Sequence, residues 1–493
     1  MKKLFSLLLV LAMVFSMSLA AADSAETIKI GVIAYGSAAA RASILGYFMN
    51  GWEVAAEQVN AAGGIDGKQI EIKVYDPEND ASMIGQRCTD AKNDGCVAIV
   101  FAYGDDMAPA AGQWALTNHF PVMMMPNTST EVTIKNWSDY AFNCGLNAWS
   151  FAKVLAKAAV QDEGKKNFVF CGTDGAATID AENLFLLEGQ KIDPKFELLA
   201  SYRVAESDSE FSNIIASVAA TSPDMVMQQG GGPSFVGWVQ QASMFNLFAV
   251  SDVYNDFVVD SASNTPLVEA NAFPYGKTHG IFLLPYWDKD AMDEETQLFY
   301  DSYMNTELAK ENGFIGPSDW GLSCYRCMKA ALLGIADCAA AGADYTDSEV
   351  LTQYIKNISW TDSTGVHEFR DLDNQLTFNV YYGTTEKVEG WVEPISPSYK
   401  TYTAEECLPT QEEILALIGY DSYVNEDGVN LKYADAGSYR TAETEDITLA
   451  ADTTYYYDIG LKTYSLYVKN IRGKDGIPYA NTYTTVYGEP FVQ

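Results

Sequence analysis

Two hydrophobic periods alternate along this chain from residue 27 onward. Residues 28–35 (IKIGVIAY) form a mostly apolar run rich in Ile and Val, the pattern of a buried parallel strand. A helical stripe follows, with Ile44, Phe48, Trp52, Ala55 and Val59 on one face, and Gly63 and Gly64 stop it. Residues 68–75 (KQIEIKVY) alternate as a strand does. A helix over 82–93, a strand over 97–103, a helix over 107–118 and a strand over 120–126 complete a β-α-β-α-β-α-β series. That order predicts a parallel sheet covered on both faces. After a break near 144–147 the rhythm resumes. Helices over 150–160, 178–190, 209–220 and 234–245 alternate with strands over 168–172, 196–204, 224–229 and 247–251. A third stretch starts with a strand over 279–285, continues with helices near 293–310, 319–341 and 347–358, and returns to strand near 376–382. From about residue 410 the chain turns rich in Tyr and Thr, including Tyr455, Tyr456, Tyr457, Tyr464, Tyr467 and Tyr483, and predicts short antiparallel strands.

At 493 residues, 48% of them hydrophobic, the chain is long enough for two or three domains and apolar enough to pack them. Asp and Glu number 66 against 31 Lys and Arg, a formal charge of −35. A nucleic-acid site needs a basic face and an anionic membrane repels such a surface, so both partners are excluded. Such charge favours the approach of cations or zwitterions. Lys2 and Lys3, an apolar run over 4–19 and the small residues Ala20, Ala21 and Ala22 make up a secretory signal. Cleavage is expected after Ala20 or Ala22, and no Cys follows the run to carry a lipid anchor. The expected product is exported, unanchored and periplasmic.

Eight cysteines would then meet an oxidising compartment. Cys88 with Cys96, and Cys324 with Cys327, are candidate local disulfides; the second pair is a C-x-x-C inside a helical stretch, read as structural before redox. The three histidines, His119, His279 and His367, have no metal or triad spacing, and no G-x-S-x-G elbow is present. Gly230, Gly231 and Gly232 follow a strand, but no Lys-Ser or Lys-Thr comes after, and Phe235 stands where a dinucleotide motif needs Gly. No catalysis, cofactor or metal is expected.

What remains is polar loops at predicted strand ends: Tyr103-Gly-Asp105-Asp106, Asn127-Thr128-Ser129-Thr130, Thr173-Asp174, Gln228-Gln229-Gly230 and Ser251-Asp252. Hydroxyls and helix N-termini hold a carboxylate, and an Asp holds an ammonium. Each Asp also suits a helix cap, and the two roles are compatible.

The stretch Asn50-Gly-Trp-Glu-Val-Ala-Ala-Glu-Gln-Val-Asn-Ala-Ala-Gly-Gly-Ile-Asp-Gly67, after Ile28-Lys-Ile-Gly-Val-Ile and running on into 68–76, resembles the branched-chain amino acid-type solute-binding proteins of ABC importers. The resemblance spans roughly residues 27–405. It implies the α/β type I periplasmic-binding fold: two doubly wound parallel-sheet lobes with three crossovers, closing on a solute. Lobe one would comprise 27–142 and 275–365, lobe two 143–274 and 366–405, leaving 406–493 as a β-rich appendage. The resemblance and the polar loops together place the solute among Tyr103, Asp105, Asp106, Asn127, Thr128, Ser129, Asp174, Gln229 and Asp252, with Trp149 or Trp287 as an aromatic wall. Asp252 would take a ligand amine. Asp105 and Asp106 stand where the family often has Ser, which favours a cationic or amide solute over a plain aliphatic amino acid. The expected partners are a small amino acid, amine or amide and a membrane permease complex, with the receptor a monomer. A periplasmic sensor signalling to a membrane partner is the alternative. An exported enzyme using Cys324 and Cys327, or a structural surface protein built on the tail, are further alternatives.

Overall fold

The structure is a computed structural model that describes residues 26–43, 45–125, 129–135, 138–205, 208–229, 232–255, 264, 267–418, 453–458, 463–468 and 482–487. The secretory signal expected over residues 1–22 lies outside the described residues. The first five strands, β1 (Ile28–Ile33), β2 (Ile70–Tyr75), β3 (Cys96–Phe101), β4 (Val122–Met124) and β5 (Ala141–Asn143), form a wholly parallel sheet in the order β2-β1-β3-β4-β5. Strand β3 is buried along its whole length, as a strand covered on both faces must be.

The first helix of note, α1 (Leu45–Ala61), ends for identifiable reasons. Gly63 and Gly64 take positive φ of 103° and 81°, and Gly64 N donates to Val59 O at 2.9 Å. A side chain on Gly64 would stand 2.0 Å from Lys68 O, so only glycine fits. The side chain of Asn60 then clamps β2, accepting from Ile70 N at 2.6 Å and donating to Ile70 O at 3.0 Å.

Strands β6 (Asn167–Thr173), β7 (Glu197–Val204), β8 (Met225–Gln229), β9 (Asp252–Asn255) and β10 (Thr278–Phe282) are parallel and join two antiparallel strands, β13 (Val380–Thr384) and β14 (Tyr399–Tyr402). The sheet order is β14-β13-β10-β9-β8-β6-β7. Helix α2 (Ala176–Ile192) follows β6. Strand β10 thus belongs to the second sheet, a correction to the reading that put 275 onward in lobe one. Its partner β9 also differs from expectation. The apolar run at 247–251 is a short 3₁₀ turn, Leu247–Ala249, that buries Leu247 and exposes Val250, and the strand begins only at Asp252.

After β10 the chain returns to the first lobe, where α3 (Asp319–Ala340) packs on α1 with backbone nearly touching. A Cβ on Gly51 would lie 2.0 Å from Gly321 O. Asn50 Nδ2 donates to Tyr303 O at 2.8 Å and the Tyr303 hydroxyl to Tyr47 O at 2.6 Å. The hairpin of β11 (Ser359–Asp362) and β12 (Gly365–Glu368) leads into the last passage between lobes.

Two of the three crossovers are laced together by buried amides. Gln375 accepts from Asn143 Nδ2 at 2.6 Å and Asn147 Nδ2 at 3.2 Å, and donates to Gly145 O at 2.8 Å and Leu376 O at 3.0 Å. Asn374 donates to Ser138 O at 2.8 Å.

The expected appendage starts later than residue 406. Helices Ala404–Cys407 and Gln411–Ile418 sit on the second lobe, with Cys407 and Ile414 buried. Glu413 bridges Lys153 and Lys191; burial opposes its charge, but the two ammonium groups hold its carboxyl down at about 2. Beyond them, β15 (Thr453–Asp458), β16 (Thr463–Val468) and β17 (Thr482–Tyr487) form an antiparallel meander.

Candidate functional site

Parallel strands in each sheet send their following loops to one edge, and in this fold those two edges face each other. From the first lobe come Tyr103 and the single turn Asp105–Met107 after β3, and Ser129 and Thr130 beyond β4. From the second come Asp174 and Gly175 after β6, Gln228 and Gln229 ending β8, and Asn255 ending β9.

The edges are in contact. Thr130 N and Thr130 Oγ1 both donate to Asp180 Oδ2, at 2.7 and 2.8 Å, joining the loop beyond β4 to α2 of the opposite lobe. Asp106 leans on Gly175, the residue that caps α2; a Cβ there would come within 3.0 Å of Asp106 Oδ1. Both contacts fall at the N-terminal end of α2, where the helix carries partial positive charge.

Most of the expected residues gather here, in different conditions. Tyr103 is buried, stacks on Tyr35 with ring centroids 4.0 Å apart, and accepts from Asn79 N at 2.7 Å. Burial and the neighbouring Tyr35 hydroxyl raise its pKa, so it stays a neutral wall. Asp105 is half-buried, while Asp106 and Asp174 are exposed. Ser129 is buried and accepts from Glu131 N at 3.3 Å. Gln229 is buried beside the pair in which Asn255 Nδ2 donates to Gln228 Oε1 at 2.6 Å. Asn127 and Thr128, with Gly230 and Gly231, lie outside the described residues.

Two expectations change. Asp252 opens β9, at the opposite end of the sheet from Asn255, because the strand lies later in sequence than its hydrophobic run suggested. It pairs with Lys165 at 2.7 Å and Lys277 at 2.8 Å. Burial opposes its ionisation, but those two ammonium groups outweigh burial and hold its carboxyl below the usual range. Trp149 is 1% exposed within the second lobe's core, its indole N–H donating to Glu188 at 3.3 Å, so it is packing rather than a wall. Trp287 stays near the second crossover, its ring 5.0 Å from Phe282 and 5.1 Å from Tyr286.

Neither candidate disulfide is formed. Cys88, Cys96, Cys324 and Cys327 are buried free thiols, as are Cys144, Cys171, Cys338 and Cys407. Cys96 faces the Tyr75 hydroxyl rather than Cys88. Cys324 and Cys327 share a helix face packed against Cys144, and burial pushes both thiols far up, the reverse of a redox-active pair.

Thr130 closes the hydroxyl run expected at the site, whereas Asp180, Gly175 and Asn255 are not among the residues the sequence pointed to, although Asp180 lies in the first turns of a predicted helix following a predicted strand. Among the described residues no group of three or more His, Cys, Asp or Glu side chains is placed to hold a metal, and no helix is long and apolar enough to cross a membrane.

Comparison with curated proteins finds no match. Among solved structures, the chain is similar to a solute-binding protein of an ABC transporter from R. palustris in complex with benzoate, at 15% identity and a TM-score of 0.62, covering 77% of this chain and 98% of that one. It is also similar to a leucine-, isoleucine-, valine-, threonine- and alanine-binding protein from Brucella ovis in a closed conformation. There the identity is 18% and the TM-score 0.65, covering 78% and 97% of the two chains. A branched-chain amino acid ABC transporter ligand-binding protein from Burkholderia xenovorans matches at 17% identity, with a TM-score of 0.63 over 78% and 98%. A family profile described as periplasmic binding protein matches residues 27–388, and with the two facing parallel-sheet lobes already described, the chain belongs to the periplasmic binding protein family.

Proposed function

We propose that this protein is the solute receptor of an ABC importer, capturing a small polar solute of the amino acid, amine or amide type between its lobes. It then presents the closed complex to a membrane permease. The observation that carries this reading is the character of the two facing edges. Asp105 and Asp106 on one lobe and Asp174 on the other bring carboxylates to the cleft, with the polar Ser129, Gln229 and Asn255 alongside. Arg203, at the end of β7, is already tied to Glu182 at 2.7 Å. Such a lining suits a solute carrying a positive or amide group and repels an anion. Hinge closure is driven by contacts that only the closed state makes.

The test is thermal unfolding of the mature protein against aliphatic and basic amino acids, polyamines, amides, urea and benzoate. A solute at 100 times its Kd should add about 2.7 kcal/mol of stability, a shift of roughly 1–3 °C at this chain length. A shift with amines or amides supports the reading. A shift confined to leucine, valine or benzoate would overturn the charge argument and leave Asp105 and Asp106 as first-turn acids of the short helical turn after β3.

A further inference from the structure

We propose that Asp180 is a resident carboxylate latch: it occupies a donor pair at the cleft, closes the lobes without a solute, and disfavours solutes bearing a carboxylate. The geometry is specific. One backbone N–H and one hydroxyl, both of Thr130, converge on a single oxygen, Asp180 Oδ2, at 2.7 and 2.8 Å. Two donors meeting at one oxygen is how proteins hold a carboxylate of any origin. Here the carboxylate comes from the protein itself. Thr130 is 2% and Asp180 8% exposed, so the contact is shielded from water on both sides. Thr130 lies beyond β4 in the first sheet's lobe and Asp180 on α2 in the second's, so the bond forms only when the lobes are together. Asp106 resting on Gly175 adds a second contact at the same end of α2.

Two consequences follow. A contact made only in the closed state shifts the unliganded population towards closure. A solute carboxylate seeking the Thr130 donors would have to displace Asp180 and lie beside it, which two like charges in a buried place resist. The latch stands on the contact alone; the selectivity rests on the solute-receptor reading.

Small-angle scattering of the full solute-free protein tests the first consequence, with Asp180→Ala and, as a second variant that keeps the carboxylate, Thr130→Ala. Both should lengthen the maximum dimension relative to wild type, while circular dichroism stays unchanged. An unchanged scattering profile in two folded variants overturns the latch. Calorimetric titration with agmatine and arginine, which differ by a carboxylate, tests the second. Wild type should prefer agmatine, and Asp180→Ala should move the affinity ratio at least tenfold towards arginine. An unmoved ratio overturns the selectivity. Opening of the variants in a wild type that binds neither probe supports the latch and counts against the amine-receptor reading.

Discussion

Asp252 and His279 show how one shifted strand reassigns a residue's work. Both sit at the far end of the second sheet from the cleft, among Lys165, Lys277 and Glu163. Asp252→Ala is therefore expected to leave solute affinity unchanged in calorimetry while lowering stability by about 1 kcal/mol in urea unfolding. A tenfold loss of affinity would return Asp252 to the site. His279 is stacked on Tyr254 at 4.8 Å, accepts or donates to Thr384 Oγ1 at 2.8 Å, and buries its Nε2 without a hydrogen-bond partner. Burial pulls its pKa below 6.5 against the pull of Glu163 and Asp252. Between 6.5 and the lower folded value the unfolded chain takes a proton that the folded chain refuses. Stability is thus full above about 6.5, falls as pH drops through that window, and levels off beneath the folded value. The unfolding midpoint should decline from pH 7.5 to 5, and His279→Asn should flatten the decline; parallel declines in both proteins would clear His279. At this scale the sequence showed the acids after β3 and β6, because a strand end followed by Asp is a local signal. The Thr130–Asp180 contact was illegible, since its partners are 50 residues apart and only the lobe arrangement joins them.

Among the elements, the glycine-rich turn after α1 was legible because it is made of local demands: positive φ at Gly63 and Gly64, and an Asn60 side chain that reaches β2. The α1–α3 crossing was not, although its cause is equally simple. Gly51 meets Gly321 across the helix pair, a backbone approach that no periodicity announces. Gly51→Ala should cost about 3 kcal/mol by forcing the helices apart, at the upper end of overpacking penalties. A midpoint within 1 °C of wild type would mean the two helices separate freely. The misread strand at 247–251 has the opposite lesson. Five residues with two exposed and one buried at each end are a connector, and an apolar run that short does not distinguish connector from strand.

For the whole molecule, the parallel architecture followed from the alternation of strand and helix, whereas the chain's passages between lobes did not. Strand β10 reads like its neighbours, and only its pairing with β9 and β13 puts it in the second sheet. The amide knot around Gln375 ties residues 143–147 to 374–376, so two passages must bend as one unit. Gln375→Ala leaves the buried Asn143 amide and Gly145 carbonyl short of partners and should cost about 2 kcal/mol. It should also broaden the distribution of lobe separations seen in scattering. A loss of stability without broadening would make the knot a packing device alone.

The buried thiols carry a consequence for how this protein is made. Were the chain exported to the periplasm, it would arrive unfolded where oxidants are waiting, with eight reactive sulfurs that its finished form keeps out of reach. Folding would then be a race: the face of α3 that carries Cys324 and Cys327 must close against Cys144 before a disulfide exchanger finds any two of them. Refolding with oxidised glutathione added early should trap mispaired chains, while the same addition after completion should leave all eight thiols countable on denaturation. Equal trapping at both times would mean that the core opens often enough for oxidant to enter.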